Sequence, residues 1–291
     1  MRIFHEDEDL LELSPDWDGD RFPDGRPRVD DDVLAALSET TTEQAWSVLR
    51  DNGYERQFAG GWQQTNPGKI IAGRAVTAQF LPHRPDLDHA VARAGARVGH
   101  VEADRQNSWV IERLVAGDVM VVDIFGKVVH GTVVGDNLGT AVAARTGVGA
   151  VIDGGVRDLQ GLMELNDVNI FMRGVDPTAI RDVTLVGVNV PVRIGTATVL
   201  PGDVVLGTPS GVIFIPPQLA KDVAEAGQEI RVRDRFGKLR LAERVYTSAQ
   251  IDVPRWSAEI EADFALWRQS ADAAPQRVPQ QGAVGAGEAK T

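Results

Sequence analysis

Residues 147–161, GVGAVIDGGVRDLQG, run from an apolar stretch through two glycines into the adjacent pair Arg157 and Asp158. GVGAVIDGG reads as a buried strand, VRD as a turn and the following LQGLMEL as a short helix. This strand–turn–helix order commits the middle of the chain to a mixed α/β layer structure. Residues just past a strand end sit at the mouth of a sheet, where α/β proteins commonly bind ligands. Gly154 and Gly155 permit close backbone approach or positive φ there. Arg157 is suited to grip a carboxylate through two parallel hydrogen bonds. Asp158 is a hard oxygen donor suited to Mg²⁺ or Mn²⁺.

A second turn has the same character. VVGDNLGTAVAA, residues 133–144, places Gly135, Asp136 and Asn137 just before a helix. Free N–H groups at a helix start attract an anion, and Asp136 is placed to hold a metal or a metal-bound water. If the two turns meet, they furnish a cation, carboxylates and amide donors around one small pocket. Taken singly, an Arg–Asp pair is also a surface or helix-capping feature, and Gly-Asp-Asn an N-cap.

Around this centre the apolar patterning predicts further elements. VLAALSE and TTEQAWSVLRDNG read as two short helices, the second with a Thr41–Gln44 capping box and a stop at Gly53. KIIAGRAVTAQFL is β-rich, DLDHAVARAGARV helical, and GDVMVVDIF a short apolar strand. NLGTAVAARTG has helical spacing and stops at Gly147. NDVNIFMRG and the stretch from DVTLVG to GVIFIP are strand-rich, followed by a helix near PQLAKDVAEAGQEI. A last amphipathic helix carries Ile260, Phe264 and Trp267 on one stripe. Residues 1–30, rich in Asp, Pro and Gly, read as an extended acidic arm that Trp17 and Phe22 pin to a body or a neighbouring subunit. The remainder divides into a catalytic domain over 31–245, a helical segment over 246–269 and a disordered tail over 270–291.

Composition removes several function classes. The net charge of −12 argues against nucleic-acid binding through a basic field. The absence of cysteine excludes disulfides, thiolate metal sites and cysteine nucleophiles. No apolar run reaches a membrane span, and the first residues carry no basic-then-apolar secretory pattern, so a cytoplasmic setting is expected.

The segments GRAVTA, GDVMVVD, GDNLGTAVAARTGVGAVIDGGVRD, VPVRIGTATVLPGD and GVIFIP occur in an order that resembles the RraA-like family, which includes the 4-hydroxy-4-methyl-2-oxoglutarate aldolases. The resemblance covers roughly residues 33–245, and its specific part is Gly135 to Asp158. It implies a layered α/β/α sandwich related to swivelling phosphohistidine-type domains, assembled as a homotrimer or homohexamer with sites between subunits. It implies a divalent metal, Mg²⁺ or Mn²⁺, and a small 2-oxo acid substrate such as one releasing pyruvate. By matching positions, Arg157 binds the substrate carboxylate and Asp158 ligates the metal. The amides of Asn137 and Leu138, beside Gly135, donate to that carboxylate, and Asp136 holds a metal-bound water. The implied activity is carbon–carbon cleavage or decarboxylation through an enolate. Two alternatives are a non-catalytic regulator of ribonuclease activity and a lyase or dehydratase of a sugar-derived acid.

The chain departs from the aldolase pattern at one place. Active members carry an acid three positions after the metal-binding aspartate, where this chain has Gly161, with Glu164 one turn further on. Other chemistry-bearing residues read as structural. Lys127 lies in a turn, FGKVVHG, rather than in a Schiff-base pocket. His130 lies close enough to contact a variable part of the substrate but reads as structural. His83, His89 and His100 lack metal-ligand spacing, Ser210 belongs to a turn, and Arg173 and Asp176 also read as turn residues at the pocket rim.

Overall fold

The computed structural model describes residues 2–6, 8–100 and 105–272. Its elements begin with α1 (Glu8–Leu13), α2 (Asp31–Leu37), α3 (Thr42–Asp51), β1 (Phe58–Ala59), β2 (Gln63–Gln64), β3 (Ile71–Pro82), α4 (Pro85–Arg97) and α5 (Gln106–Ile111). Next come β4 (Asp118–Asp123), β5 (Thr132–Val134), α6 (Asp136–Thr146), β6 (Gly149–Val156), α7 (Leu159–Met163) and β7 (Asn169–Val175). Then follow β8 (Val183–Val188), β9 (Val192–Ile194), β10 (Ala197–Val199), β11 (Val204–Thr208) and β12 (Gly211–Ile215). The last helices are α8 (Ala220–Ala242), α9 (Ser248–Ile251) and α10 (Ala258–Asp272). The chain forms two compact units, Met1–Glu229 and Ile230–Thr291. The division falls inside α8, upstream of the 245/246 boundary that the sequence suggests.

The first unit is built on a ten-stranded mixed sheet among the described residues, in the order β1-β12-β11-β3-β4-β6-β7-β2, with β5 beside β6 and β8 beside β3. Strands β3, β4, β6 and β7 pair in parallel. Their near-continuous apolar runs reflect burial on both faces, and every residue of β4 and β6 is buried. On one face, Met120, Val122, Ala150 and Ile152 pack with Val142 of α6 and Leu162 of α7, and with Val91, Trp109 and Val110 of α4 and α5. On the other face, every buried member of the apolar cluster comes from a strand, including Val192, Ile194, Ala197 and Val199 of the β9–β10 ribbon. The second cover is therefore a β-ribbon, where the α/β/α reading expects helices.

Local rules hold well. The Thr41–Gln44 capping box opens α3, and the left-handed glycines Gly53 and Gly147 follow α3 and α6.

The first thirty residues differ from the extended arm expected. They contain helix α1, bury Ile3, Phe4 and Leu10, and bridge Phe4 to Val188. Arg26 is 1% exposed and donates to both oxygens of Asp118, at 2.9 and 3.3 Å. Phe22 lies under the guanidinium groups of Arg26 and Arg74, and Trp17 packs against the core formed by α2, α3, β11 and β12. The composition favours no regular element, and the partners that order the segment, Asp118 for Arg26 and Val188 for Phe4, are distant along the chain.

In the second unit, Phe236 is fully buried and packs at tilted or edge-to-face angles against Trp256, Phe264 and Trp267, while Ile260 and Phe264 form the expected stripe of α10. Residues 273–291, most of the expected tail, lie outside the described residues. Among the described residues no helix is long and apolar enough to cross a membrane.

Candidate functional site

The site is positioned by the pairing of two parallel strands. Where β4 ends, β5 takes its place beside β6, with Thr132 opposite Gly155 and Val134 opposite Val156. The Arg157 N–H donates to the Val134 carbonyl at 3.0 Å. The turn leaving β5 for α6 therefore lies directly beside the turn leaving β6 for α7. Contact is immediate: a Cβ on Gly135 would overlap the Asp158 Oδ2 and lie 3.1 Å from the Arg157 Nε. The two glycine turns singled out in the sequence do meet, and the side chain missing from Gly135 makes the space for Arg157 and Asp158.

Gly154 and Gly155 serve close approach, since neither has positive φ. A Cβ on Gly155 would sit 2.7 Å from the Val128 carbonyl oxygen, so these glycines let the 124–131 loop cross the strand end. Asp158 has φ of 53° and ψ of 43°, the left-handed region that aspartate tolerates better than most residues. In a strand successive side chains alternate between faces. The left-handed turn interrupts that alternation, and the Arg157 Nη1 and Asp158 Oδ2 stand 3.3 Å apart. Their side chains are 41% and 40% exposed, open enough for a ligand or a neighbouring subunit to reach both.

The start of α6 supplies amides. Its first helical bond runs from the Gly139 N–H to the Gly135 carbonyl at 2.8 Å, so the three preceding N–H groups have no acceptor within the helix. One of them, on Asn137, donates to the Asp136 Oδ1 at 2.7 Å. An incoming carboxylate must share that N–H with Asp136 or displace its side chain, whereas the Leu138 N–H has no acceptor among the described residues.

Gly161 faces the same aspartate. A Cβ on it would stand 2.8 Å from the Asp136 Cβ and 3.5 Å from its Oδ2. Any side chain at 161 would therefore meet the Asp136 side chain. Glu164 is exposed at the end of α7.

Arg173 is not a turn residue. It lies on β7, donates to the Asp153 Oδ1 at 2.6 Å and to the Gly60 carbonyl at 2.7 Å, and stacks 3.6 Å above Trp62. With Asp123 and Asp153, it forms a satisfied polar row at the strand ends. The sequence signal was the recurrence of a charged residue at the end of each apolar run. Asp176 does lie in a turn and accepts from the Thr178 N–H at 3.0 Å. The Lys127 Nζ donates to the Arg181 carbonyl, and His130 meets Arg181 through its Nε2 at 2.6 Å. Ser210 sits in the β11–β12 turn. His100 stacks on Trp109, and burial holds its pKa below the usual histidine value.

Among the described residues no three acidic or histidine side chains converge on one point. Mg²⁺ commonly keeps several waters and takes only one or two protein carboxylates. Asp158 lies in the space that Gly135 leaves open, and Asp136 is on the adjoining turn.

A family model described as RraA-like, Aldolase/RraA, matches residues 31–214. A protein of Halalkalibacterium halodurans named as a candidate 4-hydroxy-4-methyl-2-oxoglutarate aldolase is 29% identical over 130 residues, 44% of this chain and 60% of that protein. An uncharacterized protein of Methanocaldococcus jannaschii is 30% identical over 117 residues, 40% of this chain and 56% of that one. The matches thus span less than two thirds of either relative. The crystal structure of Streptomyces coelicolor RraAS2, described as an unusual member of the RNase ES inhibitor RraA protein family, superposes with a TM-score of 0.62 at 26% identity, covering 74% of this chain and 98% of that one. An uncharacterized protein from Pseudomonas syringae pv. tomato shares the fold, with a TM-score of 0.62 at 24% identity over 78% of this chain and all of that one.

Proposed function

Because the chain belongs to the RraA-like family, we propose that it is a divalent-metal-dependent carbon–carbon lyase acting on small 2-oxo acids. The observation that carries this reading is the contact of Gly135 with both Arg157 and Asp158. It sets the Arg157 guanidinium and the Asp158 carboxylate beside the turn that leads into α6, the helix that starts with Asp136 and with amides free of helical partners. Arg157 donates two parallel hydrogen bonds to the substrate carboxylate, and the Leu138 and Asn137 amides donate to the same group. Asp158 and Asp136 hold Mg²⁺ or Mn²⁺. When bound, the ion supplies Lewis-acid stabilisation of charge developing on the keto oxygen. Arg157 adds fixed positive charge beside that carbon framework, and needs no reorganisation as the charge develops. The kinship with swivelling phosphohistidine-type domains, a trimeric or hexameric assembly and a cytoplasmic setting belong to the same reading.

The two reactions of such a site differ in what they demand. Retro-aldol cleavage needs a base to take the C4 hydroxyl proton. Decarboxylation of oxaloacetate needs no such base, only an electron sink and a proton returned to C3. With glycine at 161, a water held by Asp136 is the group left for proton exchange. Oxaloacetate decarboxylation is therefore the more robust of the two activities.

The test is pyruvate release from oxaloacetate and from 4-hydroxy-4-methyl-2-oxoglutarate with Mg²⁺ or Mn²⁺, with and without chelator. Absence of metal-dependent release from either substrate overturns the lyase reading. A second reading, a regulator acting by protein contact, is favoured by Gly161 and by the likeness to RraAS2. A stoichiometric complex with a ribonuclease, formed without turnover, selects it.

A further inference from the structure

A cavity of about 280 Å³ lies in the first unit at the other end of the strands from Arg157, with Asp203 in its wall. The Asp203 carbonyl accepts from the Ala75 N–H near the start of β3, beside Asp118 at the start of β4, whereas Arg157 follows the end of β6. Asp203 is 3% exposed. Its Oδ2 accepts from the Leu200 N–H at 2.8 Å, and among the described residues no further donor reaches the carboxylate.

The walls decide what this carboxylate awaits. Pro15, Tyr54, Pro201 and Pro217 supply apolar surface, and no lysine, arginine or histidine lines the cavity. The Gln57 amide is spent on the Thr198 carbonyl and the Gln218 amide on the Tyr54 hydroxyl. Asp16 is exposed at the rim. The lining thus offers two carboxyl groups and no counter-charge. Pro15 and Asp16 precede the family match and Pro217 follows it. The cavity is therefore partly made by segments outside the matched region, and does not depend on the lyase reading.

We propose that this cavity binds a small organic cation, a protonated primary amine on an apolar body, with Asp203 as its counter-ion. The volume sits just below the range of about 300–1,000 Å³ typical of small-molecule sites, which restricts the ligand to a small monoamine. Burial pushes the Asp203 carboxyl up to about 7, so at mildly acidic pH the site binds the ammonium form and releases the carboxyl proton to solvent. The other ionisable groups nearby are Asp16 and Tyr54 in the wall and Arg26, which is committed to Asp24 and Asp118.

The test titrates the full chain calorimetrically with benzylammonium chloride and with benzyl alcohol near pH 6, in two buffers of different ionisation enthalpy. The expected result is at least about tenfold tighter binding of benzylammonium, a difference of about 1.4 kcal/mol, with proton release that accompanies the amine alone. Asp203→Asn removes the preference. Asp16→Lys, a rim substitution on an exposed residue, weakens the amine several-fold and serves if the buried variant does not fold. Equal binding of amine and alcohol, or no binding of either at millimolar concentration, overturns the proposal.

Discussion

Gly161 and Asp136 confront each other across the contact between α7 and α6, with 2.8 Å between the Asp136 Cβ and the place a Cβ on residue 161 would take. In this chain an acidic side chain at 161 and Asp136 in its present position exclude one another. Gly161→Glu is therefore expected to destabilise the protein by about 1–3 kcal/mol, the usual range for overpacking. Urea denaturation reads the effect, and unchanged stability would show that Asp136 moves aside freely.

Arg157→Ala is expected to lower kcat/KM for oxaloacetate by about 10²–10³-fold, the scale seen when one preorganised donor to developing charge is removed. Arg157→Lys recovers only part, because an ammonium lacks the planar two-pronged donor geometry. Steady-state kinetics on both variants checks this. Full activity in Arg157→Ala places the chemistry elsewhere.

Gly135→Ala tests the contact between the turns. The backbone at 135, with φ of −114°, suits alanine, so any effect comes from the added methyl group meeting Asp158. Mg²⁺ affinity is expected to fall by about 10–100-fold, the range for disturbing the surroundings of a metal ligand, with the circular dichroism spectrum retained. Metal titration of the two proteins decides.

Arg26→Ala leaves Asp118 buried without its partner, and Asp118 is wholly inaccessible to solvent. Removing one member of such a pair costs about 3–5 kcal/mol. Replacing both residues by apolar ones is expected to cost less, since no fully buried charge then remains and Asp24, the other partner of Arg26, keeps contact with solvent. Chemical denaturation of the single and double variants separates the two outcomes.

Stability also carries a pH signature from Asp203. Its folded-state pKa is raised to about 7 by burial, against about 4 in the unfolded chain. Between those values the native state binds more protons, so this group's contribution is full below about pH 4 and is lost as pH rises toward 7. Asp203→Asn removes the slope. The stability difference between parent and variant should therefore change across that interval and level off above it. A constant difference from pH 4 to 8 contradicts the assignment.

Much of the geometry of the two turns was legible in residues 133–161. Both turns are local: an apolar run that stops at glycine and a polar residue ahead of a helix report their own conformation, and α6 ends at Gly147 as its spacing predicts. Arg173 was misplaced because its role as the partner of Asp153 depends on the adjacency of β6 and β7. The folded N-terminal segment was missed for a similar reason. Asp, Pro and Gly give it little preference for regular structure, and its order comes from Arg26 reaching Asp118 and from Ile3 and Phe4 entering the core.

The sequence by itself determined the run of strands and helices, the two glycine turns and the kinds of group those turns carry, because such features depend on neighbours a few residues apart. Only the tertiary structure decided that Gly135 touches Asp158, that a side chain at 161 would meet Asp136 and that Asp203 lines a cavity walled by no basic side chain. Those facts depend on which strands pair and in what register, and register is set by burial across the whole sheet.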